Sequence, residues 1–123
     1  MVSISVDLSV LSWIWHDAEI LSLNSNWSPE GVLSIGLRCE INPYENRQAL
    51  INLDITTLIV DTTFYDCSSF SFESPGNYSN RESIDSWLCK QSSANKSTFH
   101  TITCSGGSKL SLVCGEVTLS SVD

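Results

Sequence analysis

Positive charge is scarce in this chain. Six Lys and Arg stand against fourteen Asp and Glu, a formal net charge of −8, and such a surface repels phosphate backbones and anionic membranes at long range. Neither nucleic acid nor anionic lipid is expected as a partner. Histidine is scarcer still: His16 and His100 are the only two. The sequence contains no H-E-x-x-H, no C-x-x-C pair, no G-x-S-x-G elbow, no phosphate-cradling glycine loop and no EF-hand pattern. Each is the local signature of a chemistry that needs those residues at that spacing. No cofactor and no resident metal are therefore expected.

Long apolar runs are missing as well. The opening stretch MVSISVDLSVLSWIWHD has no basic region, carries an acid at Asp7 and is interrupted by polar residues throughout, so neither a signal peptide nor a membrane span is expected. Five cysteines (Cys39, Cys67, Cys89, Cys104, Cys114) are an odd number on scattered segments. That suits reduced thiols better than a disulfide framework, and a cytoplasmic location is expected. Three N-x-S tripeptides, at Asn26, Asn77 and Asn95, arise easily among twenty-three serines and carry little weight without a leader.

What is present is apolar and patterned. Of 123 residues 41% are hydrophobic, four of them tryptophans, enough to bury the core of a single domain spanning residues 1–123. The acids are concentrated early: residues 1–66 hold nine acids and two bases, residues 67–123 five acids and four bases. The N-terminal half is expected to present an acidic face, either as plain solvated surface or as a docking surface for a basic protein.

Residues 31–41, GVLSIGLRCEI, alternate Leu33, Ile35, Leu37, Cys39 and Ile41 against Ser34, Gly36, Arg38 and Glu40, the period of a half-buried strand. Upstream, Leu21, Leu23 and Trp27 form a looser apolar stripe. A four-residue loop between the two would set apolar against polar stripes. A three-residue loop, Pro29-Glu30-Gly31 closed by Ser28 and Val32, instead pairs Trp27 with Leu33, Leu23 with Leu37 and Leu21 with Cys39. Proline at the first turn position and a glycine for the left-handed residue of the bulge agree with it.

Ala49, Ile51, Leu53 and Ile55 continue as a strand that changes phase to Leu58 and Val60, which implies a bulge. Phe70 and Phe72 make a short alternation. Ser79 or Asn80 can cap a short helix around 80–90, with Ile84, Trp87 and Leu88 at helical spacing. A last hairpin turns at Ser105-Gly106-Gly107-Ser108 and sets Phe99, Thr101 and Thr103 opposite Cys114, Leu112 and Leu110, leaving His100 on the less apolar face. The segment before residue 17 keeps neither period cleanly and is assigned as strand. The expected fold is mainly β (β-rich α+β): a strongly twisted antiparallel sheet or small open barrel with one short helix.

Chemistry, if any, centres on WIWHDAEI, residues 13–20. His16, Asp17 and Glu19, with His100 if the last hairpin lies alongside, could hold a metal or orient a nucleophile. Against this, neighbours in an extended chain point to opposite faces, so His16 and Asp17 are not expected to act as one dyad. Asp17 is expected to take backbone N–H groups at the strand entry and His16 to bond a neighbouring segment. Glu19 is then the acid of this stretch expected to meet a partner. Trp27 and Trp87 are expected in the core, while Trp13 and Trp15 either cover one end of the sheet or form an interaction patch.

The order WHDAEILSL, NW-SPEG-VLSIGL, ALINLDITTLIV and TITCSGGSKLSLVCGEVTL, opened by His16-Asp17-Ala18, resembles small uncharacterised bacterial domains with an H-D-[AS] motif. Some of these are similar to predicted immunity proteins of toxin systems. The resemblance implies a cytoplasmic, non-enzymatic protein that blocks another protein. An acidic inhibitor suits a basic nuclease toxin through electrostatic steering. The alternative from the residues themselves is a small enzyme or metal-dependent binding protein centred on His16, Asp17 and Glu19.

Overall fold

The computed structural model describes residues 3–5, 15–42, 59–74, 82–92 and 96–122. Along them run β1 (Ser3–Ser5), β2 (Glu19–Trp27), β3 (Leu33–Glu40), β4 (Ile59–Tyr65), β5 (Ser69–Glu73), β6 (Ile84–Gln91), β7 (Thr98–Cys104), β8 (Lys109–Cys114) and β9 (Glu116–Ser121). They form two antiparallel sheets, sheet A in the order β1-β9-β4-β3-β2 and sheet B in the order β5-β8-β7-β6. The mainly β, antiparallel expectation holds, but as two sheets not closed into a barrel, and no helix occurs among the described residues.

The first hairpin forms as expected at its turn. Gly31 N–H bonds Ser28 O at 2.9 Å, Ser28 N–H bonds Val32 O at 2.9 Å, and Gly31 takes φ +83°, the left-handed conformation that glycine adopts without steric cost. Trp27 pairs with Leu33 and Leu23 with Leu37. Near its start β2 slips by one residue, so that Cys39 faces Ile20 rather than Leu21. Trp27 is 66% exposed, against the expectation of a core residue. It ends an edge strand, where a residue can keep the parity of the apolar stripe and still lack a covering layer.

The second hairpin corrects the expected register. Its turn repeats the first: Gly107 N–H bonds Cys104 O at 3.0 Å, Cys104 N–H bonds Ser108 O at 2.9 Å, and Gly107 has φ +97°. Three residues therefore span the turn where a tighter closure was expected. His100 faces Leu112, Ile102 faces Leu110 and Thr98 faces Cys114. A slip of one exchanges the faces of a strand: His100 is buried among core residues and Phe99 is half exposed.

The expected helix is β6. Its buried residues, Ile84 and Trp87, are three apart because β6 carries a bulge at Asp85, between the pairs Ile84–Cys104 and Ser86–Thr103. One extra residue shifts the alternation by one, and a bulged strand then shows the i, i+3 spacing of a helix. Leu88, which a helix would bury, is 67% exposed. The proposed caps at Ser79 and Asn80, the phase change between Ile55 and Leu58, and Trp13 lie outside the described residues.

Two corners join the sheets. At one, the β4–β9 pair of sheet A runs on into the β5–β8 pair of sheet B, with Gly115 N–H bonding Tyr65 O at 2.9 Å and Asp66 at φ +55°. At the other, Ile84 N–H bonds Ala18 O at 2.8 Å, Asp17 N–H bonds Ile84 O at 3.0 Å and Ile20 N–H bonds Glu82 O at 2.9 Å, with Glu19 bridged to Ser83. Strands that pass from sheet to sheet through bends are the usual corners of such sandwiches. Between the layers lie Ile35, Leu37, Cys39, Val60, Phe64, Val117 and Leu119 of sheet A and Ile84, Trp87, Ile102, Leu110, Leu112 and Cys114 of sheet B.

The strand conformation of β6 can be checked directly. Trp87→Ala should lower stability by about 3–5 kcal/mol, the cost of emptying a buried aromatic site. Leu88→Lys should change it by less than about 0.5 kcal/mol, as at other open surface positions. Chemical denaturation of the two variants reads both, and a large loss in Leu88→Lys contradicts the strand.

Candidate functional site

The WHDAEI stretch is the second corner. Trp15 is fully buried and stacks on Trp87, ring centroids 5.7 Å apart at 15°, so it is a core residue and offers no interaction patch. Residues 15–17 form a turn closed by Ala18 N–H on Trp15 O at 3.0 Å, with Asp17 at φ +60°. The chain here is not extended, so the two side chains are not sent to opposite faces: His16 Nδ1 lies 3.5 Å from Asp17 Oδ2, both side chains about half exposed. A solvent-exposed pair of this kind contributes little to stability. Glu19, two residues further and the first of β2, stands opposite Glu40 in the β2–β3 register.

His100 does not join them. It is buried between the sheets, 1% exposed. Trp87 Nε1 donates to its Nδ1 at 3.1 Å. An indole N–H can only donate, so Nδ1 accepts and the neutral ring carries its proton on Nε2. That nitrogen lies 2.8 Å from Thr98 Oγ1, which is 3.4 Å from Cys114 Sγ. Phe64 meets the ring edge-on at 5.1 Å. Burial pushes the imidazole down to about 4, because desolvation disfavours the charged form. His100 is a core histidine with both nitrogens engaged.

The thiols are likewise held uncharged, here in the protonated form. Burial pushes Cys39 up to about 12 and Cys67 and Cys104 up to about 11, and it raises Cys89 and Cys114 as well. The thiolate is the nucleophile and metal ligand, so these side chains suit packing. Among the described residues, no three His, Cys, Asp or Glu are grouped to hold a metal.

Polar side chains collect instead on the outer face of sheet A. Arg38 Nε and Nη2 donate to Asp61 Oδ1 and Oδ2 at 2.7 and 2.9 Å, a bidentate pair across the β3–β4 register. With Ser22, Asn24, Gly36 and Thr63 the pair lines a shallow concavity of about 290 Å³. The Asn24 carboxamide lies across Gly36: a Cβ there would come within 2.7 Å of Asn24 Oδ1. The strand registers put Glu19, Glu40 and Glu116 on this same face. Sequence alternation already showed Arg38 and Glu40 on the polar face of their strand; their assembly with Asp61 needed the β3–β4 pairing, which sets Arg38 against a residue twenty-three positions away.

No family model matches this chain, and no curated protein matches it at a significant level.

The corner and the buried histidine can each be tested by stability. Asp17→Gly should leave stability unchanged or raise it by up to about 1 kcal/mol, since glycine adopts the left-handed conformation freely, whereas Asp17→Val should lose about 1–2 kcal/mol; thermal melting distinguishes them. For His100 the variable is pH. In the unfolded chain it titrates near 6.5 and in the fold near 4, so between these values the unfolded state binds the extra proton. Stability is thus complete above about pH 6.5 and falls as pH drops toward 4, by at most about 1.4 kcal/mol for each pH unit of that window. Urea unfolding across the window should show the slope, and His100→Gln should remove this histidine's share of it.

Proposed function

We propose that this protein is a non-enzymatic interaction module whose acidic sheet A face docks a basic partner protein, in the manner of a small inhibitory or immunity-like protein. The carrying observation is the charge arrangement on that face. Glu19 and Glu40 are opposite each other in the β2–β3 register, and Asp61 and Glu116 share the face. Arg38, the one base among its described residues, is already engaged by Asp61. A face of this sign is complementary to a partner bearing Lys and Arg, and the overall charge of −8 accelerates encounter with it. His100, buried with both nitrogens engaged, does not complete a catalytic or metal-binding set with His16, Asp17 and Glu19. A cytoplasmic setting suits the five free thiols.

The test uses charge reversal on exposed strand residues. Proteins crosslinked to the purified chain at low salt should be basic, and their capture should be lost in Glu40→Lys/Glu116→Lys and at about 1 M salt, where the Debye length is about 3 Å. The double variant should melt as the parent does. Capture that survives both changes, or that selects acidic proteins, overturns the proposal.

A further inference from the structure

Four strands lie at the margins of the two sheets: β1 and β2 in sheet A, β5 and β6 in sheet B. Edge strands expose unpaired N–H and C=O groups and are normally blunted by bulges, lysines, prolines or shortness. Three of the four have such a device. β1 spans three residues, β2 slips register near its start and is bridged there to Ser83, and β6 carries both a bulge and Lys90. β5 has none. It pairs with β8 without a break over Ser69–Glu73, all five of its residues are exposed, and it holds no lysine or proline. Phe70 and Phe72 are 39% and 48% exposed, and among the described residues no strand pairs with its outer edge.

We infer that the outer edge of β5 pairs antiparallel with β5 of a second copy of this chain, centred on Ser71, joining two four-stranded B sheets into one eight-stranded sheet. The sequence of the strand, Ser-Phe-Ser-Phe-Glu, carries the choice of partner. Aligned on Ser71, each Phe70 stands opposite the other copy's Phe72, giving two cross-strand aromatic pairs on one face, and each Glu73 stands opposite a serine. Aromatic pairs directly opposite favour association. Shifting the alignment toward Glu73 brings the two glutamates together, and shifting it the other way leaves Phe72 without an aromatic partner; only the centred register uses all five residues. The contact is two-fold and isologous, so it closes at a dimer. Because β5 belongs to sheet B, the acidic face of sheet A remains open in each copy. Five-residue strands bury less than the roughly 800 Å² per partner of a standard interface, so the dimer is weak and forms at high protein concentration. Each copy carries −8, so salt strengthens this contact, opposite to its effect on docking of a basic protein.

Sedimentation equilibrium over a wide concentration range at low and high salt is the test. The parent should show a monomer–dimer equilibrium that tightens with salt. Phe72→Lys should weaken it at least tenfold. Ser69 supplies variants at an exposed position that keep the fold: Ser69→Lys, placed opposite Glu73, should tighten the dimer roughly two- to tenfold, and Ser69→Glu should weaken it by a similar factor. A chain that stays monomeric to about millimolar concentration, or a dimer indifferent to both Ser69 changes, overturns the inference. So does a dimer that loosens with salt.

Discussion

The hydrogen bond from the Trp87 indole to His100 Nδ1 governs the interior of this sandwich. A buried imidazole is tolerable only when both nitrogens are satisfied, and here one is met by Trp87 of β6 and the other by Thr98 of its own strand. Meeting both requires β6 and β7 in one register, with the Asp85 bulge turning Trp87 inward. The same two rings organise their neighbours: Phe64 of sheet A packs on both, and Trp15 stacks on Trp87. Sheet A, sheet B and the corner at residues 15–20 thus meet at one polar contact. With Trp15 held in the core and Ala18 buried behind it, the two residues between them are left on the outside of the turn. The exposure of His16 and Asp17 follows from what their neighbours bury.

Much of the fold was legible wherever independent sequence signals constrained the same feature. At the first hairpin the alternation of Leu33 to Ile41, the stripe of Leu23 and Trp27, and Pro29 with Gly31 all selected one loop length, and the register came out right beyond the bulge. At the second hairpin the two glycines drew the turn too tight. The alternation Thr98, His100, Ile102 and Cys104 against Leu110, Leu112 and Cys114 also fits a three-residue turn, but accepting it means burying a histidine. The sequence does not reveal that Trp87 and Thr98 are there to satisfy it.

The error at β6 has a different origin. Periodicity distinguishes helix from strand only while the strand is regular, and one bulge converts a spacing of two into a spacing of three. Exposed Leu88 and buried Trp87 then look like one amphipathic turn. The corner at residues 15–17 fails for a related reason: alternation of faces presupposes extended backbone, and Asp17 in the left-handed region redirects its own side chain. For the acidic face, alternation identified Arg38 and Glu40 as outward, but Asp61 and Glu116 join them only through the strand registers, and the Arg38–Asp61 pair depends on a contact across twenty-three positions that no local pattern encodes.

The two outer faces differ in charge, and this bears on how an unprotected edge persists. The described outward residues of sheet A include Glu19, Glu40, Asp61 and Glu116 with Arg38, while the outward registers of sheet B hold Lys90, Lys109 and Glu73 beside Phe99 and Leu88. A net charge of −8 makes two approaching copies repel at distances beyond the Debye length, about 8 Å in physiological salt, whichever surfaces they present. Strand pairing acts only at contact, about 5 Å between neighbouring strands. Long-range repulsion therefore slows encounters between copies, while at contact β5 presents complementary side chains. On the docking proposed for sheet A and the pairing inferred for β5, one excess of acid would serve two ends: it would draw a basic protein toward sheet A, and it would restrain the edge of sheet B from indiscriminate pairing.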